Sequence, residues 1–591
     1  MEKRATHMQL LGAVRWLGPR PVLLAAWHRS PAGRALSERA LRGRPTPSVV
    51  TGGRCLPGDA PPVPPSVAPR HAGEVLARAA LVVAADWHGG YDPAAPALAL
   101  DPYGAGDIRP VWERSRWAEL PLLAQAARLD PGGGHLERAE ALVADWLRAN
   151  PPFRGPNWVC GQEAALRALH FALALALLGG EAAPTTAARE LLALHARRIA
   201  ATPAYAAAQD NNHAVSEPAG LLACALLLGD RRAAAREAAR LSTRVRRLVA
   251  QCGAFAQLSA GYHRLLLDVL AVATWLCRRF DAPCLDAPAR ERAAAAVAWL
   301  RRVTDPAAGA APRLGHEDGS AFADLSLAGP ADARPSLERA ARLLAGRSAG
   351  FVDDPGCAWL DLPPCPPMPV APPDWESEGM RGWAGEGGAR ALLRTGPLRF
   401  RPGHADLLHL DLWDGPLNLL RDGGTGAYNP PPGRAWWHAH LTGTAAHNTV
   451  EFDGADQMPR LSRFLFARWP ETGRLPEGAW MRDHRGNRHA RMVRREGRAW
   501  LVEDRVSGGF ARLALRWRLA PDGGWRGTAD GAEGPLARLT VTADAPLACA
   551  LEQGWESPAY GEVRAAPVLA ARAAAPVSRL LTRIELPARA A

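Results

Sequence analysis

The sequence is poor in several features that would assign it to a familiar class. It has nine cysteines, an odd number, and no C-x-x-C spacing, so we expect buried thiols with at most one or two incidental bridges. No apolar run reaches the roughly 18 residues of a membrane span, so no transmembrane segment is predicted. Lysine is almost absent, Lys3 being a rare exception, and the basic residues are nearly all arginine.

Positive charge exceeds negative charge: the chain has 71 lysines and arginines and 59 aspartates and glutamates, which gives a formal net charge of +12. Such an excess favours polyanionic partners, namely nucleic acid, an anionic membrane surface or an acidic polysaccharide. Codon bias is the plainer explanation of the many arginines, although arginine also forms paired hydrogen bonds to carboxylate and sulfate groups. Nucleic acid ranks last, because the chain has no compact basic motif and no recognised nucleic-acid-binding module.

The 591-residue chain is too long for one ordinary core and, with 48% hydrophobic and 22% charged residues, has a globular composition. Residues 1–71 are predicted to form a basic arm and a linker rich in glycine and proline. The apolar segment from Met8 to Trp27 is interrupted by Arg15 and Arg20, which makes a poor signal peptide. This segment suits peripheral contact with a membrane surface or packing against the body of the protein.

Helical periodicity dominates residues 72–350. We predict a helix from Trp112 to Leu129 and further helices after it. The further segments span roughly 134–149, 158–180, 185–202, 213–229, 231–250, 258–280 and 286–303. Antiparallel helices with short connections predict an α/α bundle or toroid. The segment RLGHEDGSAF, residues 313–322, is predicted to be a polar loop at its rim.

A Pro-rich linker, residues 351–378, is the clearest domain boundary. From 379 to 591, short alternating runs separated by glycine, proline and aspartate predict an antiparallel β-sandwich. The expected architecture is therefore a multidomain α+β chain, with an N-terminal (α/α) toroid followed by a C-terminal antiparallel β-sandwich.

Two polar motifs in the helical half contain residues that an amphipathic helix alone does not explain. In QDNNHAVSEP, capping of a helix start explains one asparagine, but not two asparagines and His213 with Glu217 one turn later. In GAFAQLSAGYHRLLL, Tyr262 follows a glycine at the start of an apolar helix. A lone tyrosine there is usually structural, so its meaning depends on what lies near it in the fold.

The run from His404 to Met458 is the most informative stretch of the sheet half. It begins HADLLHLDLWDG, in which leucines alternate with other residues at the period of a half-buried strand. His404, Asp406, Asp422 and His447 lie at or near predicted strand ends. A rigid sheet could hold these four side chains facing one place.

These motifs, in this order and from about residue 75 onward, resemble the heparinase II/III-like polysaccharide lyases, a group that includes several alginate and oligoalginate lyases. The resemblance implies cleavage of a uronic-acid-containing acidic polysaccharide by β-elimination, which leaves a 4,5-unsaturated product. That reaction needs a neutralised carboxylate, a base for the C5 proton and an acid for the departing O4.

The resemblance also implies a role for each matched residue. Asn212 and His213 would face the substrate carboxylate. Tyr262 would shuttle a proton at C5 or O4, and His404 would be a second acid or base contributed by the sheet half across the cleft. Whether the tyrosine or the histidine takes the C5 proton depends on the sugar epimer and stays open.

Asp406, Asp422 and His447 match a region that binds a metal, often zinc, in several members of this group, so we expect one divalent metal there. The group commonly has histidine where this chain has Asp406, which allows calcium or manganese as well as zinc. The three side chains could equally form a hydrogen-bonded network without a metal. No organic cofactor is implied.

The resemblance draws further residues toward the cleft as candidates for substrate binding. They are Trp112, Arg116, Glu163, Arg167, Glu217, Arg264, Trp437 and Asn448. Trp112 fits either packing of a loop on a helix or stacking against a sugar ring. Glu163 and Arg167, spaced i and i+4, also fit an ion pair on a helix surface.

Two other functions remain open. A glycoside hydrolase needs two carboxylates flanking the bond, for which Glu163 and Glu217 are candidates. A non-catalytic glycan-binding protein would keep the fold without the chemistry. The resemblance places the protein in the cell envelope or periplasm, and the poor signal peptide makes the cytoplasm the alternative.

Overall fold

Helices fill most of the chain before residue 360. The computed structural model describes residues 14–43, 47–83, 86–351 and 354–588, so residues 1–13 of the basic arm lie outside the described part. In chain order the helices are α1 Pro19–Arg29, α2 Pro31–Ala40, α3 Pro69–Ala80, α4 Arg109–Arg114, α5 Glu119–Leu129, α6 His135–Ala149, α7 Gly161–Leu177, α8 Thr186–Ala200, α9 Pro203–Gln209, α10 His213–Leu228, α11 Arg231–Leu248, α12 Ala260–Arg279, α13 Ala287–Val303, α14 Arg334–Ala340 and α15 Pro355–Trp359, with α16 Trp436–Leu441 following in the sheet half.

The helices pack around a central helix, α7. Every residue of α7 is buried, and α10 packs along it as well as along α8, α11 and α12. A helix that is buried on all its faces has no face for water and belongs inside a bundle, and the few polar side chains of α7 find partners there. The outer helices are amphipathic: α11, for example, buries Leu241 and Val245 and exposes its arginines. This arrangement produces one continuous helical core.

One helix prediction is wrong in its extent. The segment from Trp112 to Leu129 forms two helices, α4 and α5, separated at Trp117. Trp117 has a φ of 59°, and its buried ring packs edge-on against Trp146 at 5.1 Å. Burial of the indole therefore outweighs continuation of the helix.

The basic arm and the Pro-rich linker both carry regular structure. α1 packs along α9, so the described part of the arm lies against the body of the protein. Within the linker, α15 buries Trp359, and the first strand begins at Asp374. The start of the predicted linker is therefore packed on the helical half, whereas its proline-rich centre, residues 363–373, is mostly exposed.

The sheet half is antiparallel throughout its described pairs. Its strands are β1 Asp374–Ser377, β2 Gly379–Ala384, β3 Ala389–Gly396, β4 Leu410–Asp414, β5 Leu417–Leu420, β6 Val450–Phe452, β7 Arg460–Ser462, β8 Leu465–Phe466, β9 Glu471–Leu475, β10 Gly478–Arg482, β11 Arg488–Glu496, β12 Ala499–Ser507, β13 Arg512–Arg518, β14 Arg526–Thr528, β15 Gly531–Gly534, β16 Ala537–Ala543, β17 Ala548–Glu556, β18 Arg564–Ala574 and β19 Arg579–Glu585. They form sheets in the orders β1-β2-β3-β4-β5, β14-β15-β16-β19-β12-β11-β10-β9, β17-β18-β13-β6 and β7-β8.

The sheets share one apolar core. Leu412 of β4, Val502 of β12, Trp517 of β13 and Leu569 of β18 belong to the same buried cluster although they come from three sheets. Layers of antiparallel strands over a common core make a sandwich. The predicted order, a helical toroid followed by an antiparallel β-sandwich, is confirmed.

All nine cysteines are free. None of the helices in the four described ranges is both long and apolar enough to cross a membrane.

Candidate active site

Tyr262 lies where the helical half meets the sheet half. At the start of α12 the Ser259 side chain accepts a hydrogen bond from the Tyr262 amide at 3.1 Å and donates one to the His316 carbonyl at 2.6 Å. The Tyr262 hydroxyl donates to Asp318 Oδ2 at 2.9 Å and lies 2.7 Å from the hydroxyl of Tyr428, which belongs to the sheet half. The serine cap therefore aims this phenol at the junction of the two halves.

The electrostatics at Tyr262 favour the protonated phenol. Arg109 Nε donates to Asp318 Oδ2 at 2.9 Å. Burial alone would raise the pKa of Asp318, but Arg109 and Arg116 hold it well below its usual range. Burial and this neighbouring carboxylate in turn raise the pKa of Tyr262 well above its ordinary value. Tyr262 is therefore a neutral group that can donate a proton.

His316 occupies the space between Tyr428 and the sheet half. Its ring centroid lies 5.4 Å from that of Tyr428 and 5.5 Å from that of His404. A Cβ on Gly403 would stand 2.9 Å from the His316 ring, so a glycine is needed for this approach. Burial lowers the pKa of His316 to about 3, and its Nε2 is buried without a hydrogen-bond partner. The neutral imidazole of His316 thus lies between Tyr428 and His404.

His404, Asp422 and His447 form a buried cluster. His447 Nδ1 lies 3.0 Å from Asp422 Oδ2, and His404 Nδ1 lies 3.9 Å from Asp422 Oδ1. One donor atom from each residue lies within 4.8 Å of the others. Burial holds the pKa of His404 well below its ordinary value despite the nearby Asp422.

The donor atoms of this cluster fit a metal ion. Both ring nitrogens of His404 and Nε2 of His447 are buried without a hydrogen-bond partner. Such unpartnered buried nitrogens are rare in folded proteins, because each loses its bonds to water. Two imidazoles and a carboxylate, with further positions open, are typical ligands of zinc.

The structure places Asp406 outside this cluster. Both of its carboxylate oxygens lie 3.2 Å from Arg394 Nε, in an ion pair buried within the sheet half. The expected grouping is therefore corrected: His404, and not Asp406, lies with Asp422 and His447. A set with two imidazoles and one carboxylate suits zinc better than calcium or manganese.

Asn212 and His213 begin α10 next to a strained residue. Asp210 has a φ of 45°, which turns the chain sharply before the helix. The Asn211 side chain caps the helix by accepting from the His213 amide at 3.0 Å, whereas the Asn212 backbone amide donates to Gln257 Oε1 at 3.1 Å. Within the described residues no hydrogen bond engages the Asn212 side-chain amide, so it is free to bind a ligand.

His213 lies beside acidic partners. Its Nδ1 is 3.7 Å from Glu217 Oε1 and 3.9 Å from Cys160 Sγ. Burial would lower the pKa of His213, but Cys160 and Glu217 outweigh it and raise the pKa to about 10. His213 is therefore a cation at neutral pH, in contrast to His316 and His404.

A short segment connects the two helical sites. Gln257 contacts Asn212, and Ser259, only two residues later, holds Tyr262. His316, whose carbonyl Ser259 contacts, then leads to His404. The residues predicted to be catalytic are thus linked through Gln257, Ser259 and His316 rather than by contacts with one another.

Arg116 and Glu163 support this interface, whereas Arg167 does not reach it. Arg116 donates to both carboxylate oxygens of Glu163, at 2.7 and 2.8 Å, so Glu163 pairs with Arg116 rather than with Arg167. Arg167 is fully buried, with its guanidinium 4.3 Å from the centre of Trp146 and 5.1 Å from that of Trp158. Its expected role in substrate binding is replaced by a role in the helical core.

Arg264 and Asn448 are also structural. Arg264 donates to Ser336 Oγ at 2.8 Å inside the helical half. Asn448 is fully buried, donates to the Leu410 carbonyl at 2.9 Å and accepts from the Arg518 amide at 2.6 Å. Their polar atoms are used to join backbone segments, so neither side chain faces a substrate groove.

The two tryptophan candidates differ in exposure. Trp437 is buried against Leu441, away from solvent. Trp112 is half-buried, and its indole donates to the Pro156 carbonyl at 3.0 Å. Trp112 therefore packs on a loop while keeping part of one face open.

Two residues at the junction were not predicted as site residues: His316 and Tyr428. Both lie in segments without regular periodicity, namely the polar loop 313–322 and the glycine-rich run after β5. The histidine within the polar loop RLGHEDGSAF was the one sequence feature that could have indicated His316 as a site residue.

A helical toroid is thus followed by a β-sandwich, and Tyr262 and the His404 cluster lie near their junction. Residues 373–580 match the family described as "Heparinase II/III-like, C-terminal". No curated protein sequence matches the chain significantly.

Solved structures extend the likeness to nearly the whole chain. Heparinase III has a TM-score of 0.66 at 13% identity, covering 96% of this chain and 92% of that one. A mutant heparan sulfate lyase from Pedobacter heparinus has a TM-score of 0.57 at 16% identity, covering 99% and 91%. The Streptomyces coelicolor chondroitin AC lyase has a TM-score of 0.52 at 14% identity, covering 94% and 83%. These likenesses show the fold, and the activity has to be argued from the site.

Proposed function

We propose that this protein is a polysaccharide lyase that cleaves a uronic-acid-containing acidic polysaccharide by β-elimination and leaves a 4,5-unsaturated product. The observation that carries the proposal is the junction itself. The neutral Tyr262 phenol is hydrogen-bonded to Tyr428 of the sheet half, the neutral His316 ring packs against Tyr428, and the cationic His213 begins α10 next to Asn212. This combination supplies the three functions that the elimination needs.

The first function is neutralisation of the uronate carboxylate. The C5 proton is weakly acidic, and its removal places negative charge on the adjacent carboxylate. The free amide of Asn212 donates hydrogen bonds to that group, and the His213 imidazolium supplies positive charge beside it. Both interactions strengthen as the charge develops, so they stabilise the transition state more than the bound substrate.

The second and third functions are proton transfers. Tyr262, with its raised pKa, donates a proton to the departing O4. His404 has no exposed surface, so its imidazole is not placed to reach a sugar. His316 is only half-buried and neutral, and we assign it the removal of the C5 proton in the role expected for His404.

A divalent metal, with zinc as the best fit, would be held by His404, Asp422 and His447. It would supply positive charge that braces the segments before β4, after β5 and before β6. None of the proton transfers above passes through it.

The proposed partner is an acidic polysaccharide, and the proposed place of action is the cell envelope or periplasm, where such polymers occur. Fractionation of the producing cells, with detection of the protein in each fraction, tests this location; recovery only with the cytosol would contradict it.

The decisive experiment is a screen of alginate, hyaluronan, heparan sulfate, chondroitin and bacterial exopolysaccharides. A lyase generates ultraviolet absorbance from its C4–C5 double bond. A glycoside hydrolase generates new reducing ends without that absorbance, and a glycan-binding protein generates neither. New reducing ends without absorbance would overturn the proposal.

A further inference from the structure

The N-terminal arm, residues 14–40, ties the sheet half to the helical half. The ring of Trp16 lies 6.1 Å from that of Trp469, and Trp16 and Leu17 pack against the sheet core. Twelve residues later, the ring of His28 lies 5.2 Å from that of Tyr205 in the helical half. The arm therefore contacts the sheet half at Trp16 and the helical half at His28.

The arm reaches the helical half beside the proposed carboxylate site. Tyr205, which His28 contacts, lies with its ring 5.9 Å from that of His213. Arg20 of the arm lies 4.0 Å from Asp210, three residues before His213. The arm is therefore only one aromatic ring away from the reacting sugar's expected position.

A second bridge joins the halves through the loop before α4. The guanidinium of Arg463 lies 4.2 Å from the centre of the Tyr103 ring, and Asn429 Nδ2 donates to the Tyr103 carbonyl at 3.1 Å. Tyr560 Oη donates to Asp107 at 2.6 Å. Tyr103 also lies near enough to Tyr205 for the ionised form of Tyr205 to raise the pKa of Tyr103. The arm and this loop thus approach the same tyrosine.

A cation without a carboxylate partner faces this region. Arg401, from the sheet half, donates to Gln209, and no ion pair joins it to any carboxylate of the described residues. Burial lowers the pKa of Arg401, and its charged neighbours include Asp210, which is already paired with Arg247, and Arg29. A guanidinium that is partly desolvated and lacks a counter-ion is a site for an anionic ligand.

We propose that the arm and the Tyr103 loop close one end of the cleft, so that the protein acts at the end of an acidic chain, with Arg401 binding the acidic group of the sugar held there. This inference rests on the proposed lyase function. An open cleft would let a polymer pass through and be cut internally, whereas a closed end admits only a terminus.

The first test is the size of the products over time, measured by size-exclusion chromatography with ultraviolet detection on the polymer that gives absorbance. End-on action releases one small unsaturated product from the first minutes while the polymer shortens slowly. Early appearance of a broad ladder of oligosaccharides would overturn the inference while leaving the lyase function intact. The variant His28→Ala, which loosens the arm, is expected to add larger products.

The second test is Arg401→Gln. We expect KM and the dissociation constant for an acidic oligosaccharide to rise about tenfold or more, with kcat little changed. Arg399→Gln is the matched control, because Arg399 is exposed and pairs with Glu378. Calorimetric binding to the Tyr262→Phe protein measures the subsite without turnover. Equal affinity in the Arg401 and Arg399 variants would overturn the subsite, and absence of absorbance on every polymer would overturn the lyase function separately.

Discussion

The partly buried His213 of the helical half and the fully buried His404 of the sheet half have surroundings that give them opposite charge states. Burial opposes protonation of both rings. At His213 the nearby Glu217 and Cys160 reverse that effect and raise the pKa, whereas at His404 burial prevails over Asp422 and the pKa stays low. The charge of a histidine in this protein is therefore set by its neighbours. His213 in the helical half is a cation, whereas His404 in the sheet half is a neutral imidazole whose nitrogens are available to a metal ion or a proton.

Tyr262 bonds to Tyr428 across the junction, and its loss is expected to have the largest effect. Tyr262→Phe removes the only proton donor proposed for O4, so kcat should fall by about a thousandfold while affinity for the polysaccharide is kept. The rate of ultraviolet absorbance and calorimetric binding measure the two quantities. A variant with more than half of the native rate would assign the proton donor elsewhere.

Substitution of two aspartates tests the proposed metal site around His404 in the sheet half. Asp422→Asn should weaken zinc affinity by at least about 100-fold, because the carboxylate is a proposed ligand. Asp406→Asn should keep the zinc but lower the Tm, because Arg394 loses its buried partner. Elemental analysis gives bound zinc per chain, and thermal unfolding with and without zinc gives the stabilisation. Loss of zinc from the Asp406 variant alone would reverse the assignment.

The pH dependence of activity tests the charge of His213 in the helical half. Because the pKa of His213 is raised to about 10, activity that needs its charge should persist at neutral pH and be lost as pH rises through that value. The associated stability has the same sign: it is complete below the ordinary pKa of about 6.5 and is lost on the way to the folded-state value. Glu217→Gln should move the alkaline limb of the pH–rate profile down by about one unit. An unmoved limb would show that Glu217 does not set the charge of His213.

The smallest effect on activity is expected at Arg167. Arg167→Met should leave KM and kcat within about twofold and lower the stability by about 1–3 kcal/mol, because its guanidinium packs among core tryptophans. Chemical denaturation and initial rates separate the two outcomes. A large rise in KM with unchanged stability would return Arg167 to the cleft.

Parts of the fold and the site follow from local pattern. Helix period, turn residues and the proline-rich boundary predict the order of toroid and sandwich, because they reflect short-range packing and backbone preferences. The motif around Asn212 and His213 stands out because capping explains only part of it. Local pattern does not predict that His404, and not Asp406, lies with Asp422 and His447. That grouping depends on Arg394, which pairs with Asp406 in the folded chain.

By itself, the sequence determined the succession of helices and strands and the presence of a polar, histidine-rich junction, because periodicity and residue type act locally along the chain. Only the tertiary structure decided that His316 and Tyr428 lie beside Tyr262 at the junction, that Arg167 packs in the helical core, and that the arm contacts both halves. These outcomes depend on contacts between residues far apart in the chain, as in Tyr262 with Tyr428, and packing of the whole core selects which of them form.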